Sequence, residues 1–66
     1  MLWIQIGQTA GMVYRLLELK KEATTTELAR ELKVPYDIIQ MALGWLARED
    51  RIKFDQVRKS LKISLK

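Results

Sequence analysis

The hydrophobic period of this chain changes to two at Asp50. From Thr9 to that residue apolar side chains recur mostly every three or four positions; after it they alternate. "RIKFDQ" points Ile52 and Phe54 one way and Arg51, Lys53 and Asp55 the other, while "LKISLK" sets Leu61, Ile63 and Leu65 against Lys62, Ser64 and Lys66. A period of two belongs to strands with one wet face. Two such runs around "VRKS" predict a hairpin with an apolar inner face and a basic outer face. Its turn holds neither Gly nor Asn, which predicts a tip wider than the two-residue primed type. A chain patterned this way is helical first and sheet-like last, an α+β arrangement.

The helical part divides at its own punctuation. From Thr9, "TAGMVYRLLELKKE" puts Ala10, Val13, Leu16 and Leu17 on one face with Met12 and Leu19 at the margins, predicting a helix to about Lys21. Ahead of it, residues Met1 to Ile6 alternate, with Leu2, Ile4 and Ile6 opposed to Trp3 and Gln5; this suits a short strand and equally the first turn of a helix. "ATTT" is β-branched and short, and Thr24 followed by Glu27 forms a capping box that opens a second helix, "ELARELK", burying Leu28, Ala29 and Leu32. Pro35 suits the first position of a third helix, where its missing N–H costs nothing, and that helix runs to about Arg48. At about 100° per residue its core stripe is Ile39, Ala42, Leu43 and Leu46.

Helix, short strand, helix, tight turn, helix and hairpin is the order of a winged helix. Residues 28 to 43, "LARELKVPYDIIQMAL", resemble the helix-turn-helix of many bacterial repressors: Ala29 takes the small crossing position, Val34 plugs the turn, and Ile39 with Leu43 anchors the last helix. Lys33 stands where such turns usually carry Gly, and a left-handed Lys costs about 1 kcal/mol relative to Gly. Over nearly its whole length the chain also resembles a small prokaryotic winged helix-turn-helix family known as a domain of unknown function. The resemblance rests on Ile6, Gly7, Ala10, Gly11, Val13, Tyr14 and Leu17, and on the run "ALGWLAREDRI" from Ala42 to Ile52. It implies a winged helix-turn-helix domain over residues 1–66, three helices with a C-terminal β-hairpin wing and a short strand before helix two. The family's hairpin tip often carries a Gly that this sequence lacks. No activity, cofactor or site residue comes with the resemblance.

Composition narrows the function. At 66 residues the chain buries only about 60% of its unfolded surface, and without Cys or His it has neither a disulfide nor an imidazole or thiolate metal site to add stability. Oligomerisation is the remaining reinforcement, and a homodimer is expected. The same inventory offers no imidazole acid or base and no thiol nucleophile, so the expectation is a non-enzymatic protein without metal or cofactor. The longest charge-free run, Met1 to Tyr14, is shorter than the ~20 apolar residues of a spanning helix and lacks a basic leader, which predicts a cytoplasmic protein with no membrane partner. Residues 1–50 hold six basic and seven acidic side chains, residues 51–66 six basic and one acidic, so all the excess positive charge sits in the hairpin region. That charge either attracts phosphates or only solvates an exposed strand edge.

Two functional readings follow. In the first, a transcription-regulator-like module binds duplex DNA, with Arg51, Lys53, Arg58, Lys59 and Lys62 on phosphates and Gln40 and Arg48 reaching a groove. The outer arc of helix three is a poor reader for this purpose, because beside Gln40 and Arg48 it carries Asp37, Met41, Gly44 and Trp45. In the second, Trp3, Met41, Gly44 and Trp45 form a dimer or other protein contact without physiological DNA binding: a large aromatic, a pliable thioether and a glycine that admits another backbone. Alternatively Trp45 folds over the N-terminal segment of its own chain, with Gly44 making room for helix one near Gly11.

Overall fold

The computed structural model describes residues 2–66 and has the elements α1 Leu2–Lys20, β1 Glu22–Thr24, α2 Thr25–Leu32, α3 Tyr36–Arg48, β2 Ile52–Val57 and β3 Ser60–Leu65. This is a winged helix-turn-helix, with the short strand ahead of α2 and the hairpin last. The first helix starts seven residues earlier than Thr9. Of the two readings of "LWIQI" the helical one holds, and no strand forms there; Met1 lies outside the described residues. The reason is Ile6, which stands four residues before Ala10, so that Ile6, Ala10, Val13 and Leu17 make one buried stripe at helical spacing. Trp3 and Ile4 are left pointing outward, 74% and 61% exposed.

Local chemistry sets the ends of α2. The Glu27 N–H donates to the Thr24 hydroxyl at 3.2 Å and the Thr24 N–H donates to Glu27 Oε1 at 2.9 Å, the reciprocal box expected from the sequence. The Thr24 N–H, helped by the Thr24 hydroxyl, holds the Glu27 carboxyl below its ordinary pKa. At the other end Lys33 adopts φ 56° and ψ 43° and donates its N–H to the Ala29 carbonyl, a left-handed cap filled by a residue other than Gly. Within α2, Leu28 is fully buried, while Ala29 and Leu32 are half-buried. Pro35 has φ −54° and ψ 145° and caps α3 rather than opening it, one position from the expected start. All four residues of the expected α3 stripe, Ile39, Ala42, Leu43 and Leu46, are buried.

The sheet is antiparallel in the order β1-β3-β2. Ile52 pairs with Leu65, Phe54 with Ile63 and Gln56 with Leu61 on the inner face; Lys53 pairs with Ser64 and Asp55 with Lys62 on the outer. Ala23 of β1 meets Ile63 from the other side. Val57 pairs directly with Ser60, so only Arg58 and Lys59 form the tip. The wide tip expected from the missing Gly is therefore wrong. Arg58 accepts φ 58° at the first central position, the conformation a two-residue II′-type turn requires there.

The left-handed positions make a stability test. Lys33→Gly and Arg58→Gly are each expected to stabilise the fold by roughly 0.5–1 kcal/mol, because the Cβ strain removed exceeds the chain entropy added. Equilibrium denaturation checks this; a lower midpoint in both variants would show that the lysine and arginine side chains contribute more than their backbones lose.

Val13 and Leu17 of α1, Leu28 of α2, Ile39 of α3 and Ile63 of β3 are the large residues with essentially no exposure, so three helices and the central strand converge on one core. The inner face of the wing joins this core only at its base. Ile52 is buried, whereas Phe54 and Leu61, nearer the tip, remain 43% and 40% exposed.

Candidate nucleic-acid interface

The outward side of α3 is shared between two grooves. Tyr36, Gln40 and Gly44, spaced one turn apart, line a groove of about 580 Å³ whose opposite wall is Phe54, Lys59, Ser60 and Leu61 of the wing, with Thr24, Thr25 and Thr26 at its end. Trp45 faces the other way. It borders a groove of about 370 Å³ against α1, with Gly7, Gly11, Tyr14, Arg15 and Glu18 along one side and Glu49 and Arg51 near the far end of α3.

The basic residues separate in the same manner. Gln40 and Lys59 come together on the wing groove, and Arg58 stands beside Lys59 at the tip. Lys53 lies on the outer face of β2. Lys62 is already engaged: its ammonium is 3.2 Å from Glu22 and it stands across from Asp55. Arg51 belongs to the α1 side, 3.6 Å from Glu49 and with its guanidinium 5.7 Å from the Tyr14 ring centre. Arg48 lies near Trp45 and Glu49 at the end of α3, and Lys66 pairs with Asp50. Among the described residues Lys53, Arg58 and Lys59 are the hairpin cations without a carboxylate within ion-pair distance.

The residues expected at a protein contact also divide. Trp3 and Trp45 meet edge to face with ring centres 6.3 Å apart, so Trp45 does touch the N-terminal segment of its own chain. It remains 40% exposed, as does Met41 at 43%. Gly44 does not make room for α1: beyond the adjoining backbone of its own helix, a Cβ built on Gly44, Gly7 or Gly11 meets no atom within 4 Å. Tyr36 and Ser60 were not singled out from the sequence. The signal available for Tyr36 was its place one turn before Gln40; Ser60 became visible only when the two-residue tip put it on the groove. Among the described residues no helix is long and apolar enough to cross a membrane, and no cluster of metal-ligating side chains occurs.

With this geometry the chain is similar to several known proteins. The uncharacterized protein MJ1608 of Methanocaldococcus jannaschii is 43% identical over 53 residues, 77% of this chain and 76% of that protein. The solution structure of protein BT2368 from Bacteroides thetaiotaomicron superposes with a TM-score of 0.87 at 28% identity, covering 98% of this chain and 79% of that one. ZitR of Lactococcus lactis, a double mutant in apo form, shares the fold with a TM-score of 0.84 at 22% identity over 92% of this chain and 48% of its own. Residues 1–65 match the winged helix-turn-helix domain family DUF2582, and the chain belongs to that family.

Proposed function

We propose that the protein is a non-enzymatic DNA-binding module of the transcription-regulator type, which takes duplex phosphates on its wing and works as a homodimer. One observation carries this reading. Gln40, whose amide both donates and accepts at a base edge, lines the same groove as Lys59 of the wing. Arg58, Lys59 and Lys53 supply the phosphate charge; Lys62 and Arg51, already paired with Glu22 and Glu49, add less, and Arg48 serves the end of α3. The dimer is supported by Trp3, Ile4 and Trp45, which leave aromatic and aliphatic surface in water on the α1 side, away from the wing groove.

Fluorescence anisotropy with a labelled random duplex tests the DNA reading. Three unpaired cations on each protomer predict, for the dimer, a slope of log affinity against log salt near −5, at about −0.9 per neutralised phosphate. Replacing Arg58 and Lys59 together by Ala should weaken binding and bring the dimer's slope to about −2. Affinity that ignores salt sinks the proposal and leaves the alternative, a protein-contact module built on Trp3 and Trp45.

A further inference from the structure

We infer that Gly44 marks the closest approach of a DNA sugar–phosphate strand to α3, with that strand lying in the groove between α3 and the wing. The inference rests on the DNA-binding reading above and names where that reading places the ligand.

Glycine is the poorest helix former after proline, and Gly44 sits inside a 13-residue helix. Neither of its usual justifications applies. No glycine of the chain has positive φ, so the backbone at position 44 suits any residue. Apart from the adjoining backbone of its own helix, nothing of the chain lies within 4 Å of where its Cβ would be, so no internal packing excludes a side chain. What a side chain at position 44 would occupy is the groove itself.

The chemistry around that opening fits a phosphodiester strand. Tyr36 and Ser60 offer hydroxyls, Gln40 an amide and Lys59 an ammonium; none of the described lining residues is acidic. Phe54, partly exposed on the wing wall, gives an apolar surface against which a deoxyribose packs. The α1 groove differs in its acids: Glu18 and Glu49 line it beside Arg15 and Arg51, so its charges balance, whereas Lys59 in the wing groove has no acidic neighbour on the lining. A strand between α3 and the wing would run across the Tyr36–Gln40–Gly44 row, and any Cβ at position 44 would hold it off the helix.

The test measures melting midpoint and affinity for a random duplex of about two helical turns at low salt, for the wild type, Gly44→Ala, Gly44→Leu and Gly11→Ala. Gly44→Ala and Gly11→Ala should both melt higher by several degrees, since each removes an exposed helical glycine. Affinity should fall about threefold in Gly44→Ala and about tenfold or more in Gly44→Leu, and stay unchanged in Gly11→Ala. A folded Gly44→Leu that binds like the wild type overturns the inference while leaving DNA binding intact. Equal losses in Gly11→Ala overturn it too, since the effect would then come from helix stiffness rather than from the groove. Absence of wild-type binding removes the underlying reading, and this inference with it.

Discussion

Leu28→Ala is expected to bring the protein to the edge of unfolding at physiological temperature. Leu28 has no exposed surface and is the one large side chain that eight-residue α2 commits fully to the core. Truncating a buried leucine costs about 2–5 kcal/mol, the spread reflecting how far the site collapses around the cavity. At typical per-residue values a domain of 66 residues is stable by roughly 3–10 kcal/mol in total. The loss is therefore comparable to the whole, and at about 4–8 °C per kcal/mol it lowers the melting midpoint by roughly 8–40 °C. The capping box does not rescue α2, because a helix of two turns is held by its packing rather than by its ends. Thermal unfolding followed by far-UV circular dichroism measures this. A midpoint within a few degrees of the wild type would mean that α2 re-seats to fill the space the leucine vacates and that the core tolerates its slippage.

Trp45→Arg is expected to abolish self-association and leave the fold in place. The side chain is 40% exposed and its aromatic neighbour, Trp3, is more exposed still, so the internal loss is an edge-to-face contact worth about 0.5–1.5 kcal/mol together with the part of the indole that its own chain covers. A tryptophan at the centre of a protein contact contributes at least about 2 kcal/mol, roughly a thirtyfold change in dissociation constant, and a buried guanidinium without a partner adds to the penalty. Solution mass across a dilution series at physiological salt, for wild type and variant, separates the outcomes. A wild type that is already monomeric at micromolar concentration removes the homodimer. A variant that unfolds would reassign Trp45 to the core of its own chain.

Local spacing was enough to read α2 and α3. Thr24 and Glu27 declare their cap within four residues, Lys33 falls where the turn must be left-handed, and Ile39 to Leu46 repeat at the helical period. The inner and outer faces of the wing followed from alternation alone, since register slips by one residue would bury Lys53 and Lys62. The start of α1 was less legible because "LWIQI" satisfies both periods, and the decision came from Ile6 reaching the core. The tip was misread because a missing glycine is only a moderate penalty, and Arg58 accepts it. Least legible was the division between Gly44 and Trp45. Adjacent in sequence, they face different grooves, and only the positions of α1 and the wing around α3 show which residue serves which.

The sheet order also governs when this fold becomes possible. β3 is the strand to which both others pair, and it is the last of the three to be synthesised. Ala23 must wait for Ile63, forty residues later, before β1 has a strand partner. Until β3 arrives, the core lacks Ile63, the strand residue that joins Leu17, Leu28 and Ile39 in one buried cluster. Pairing β1 with β3 is thus a long-range closure, and by the general trend with contact order it slows folding relative to a bundle of local helices.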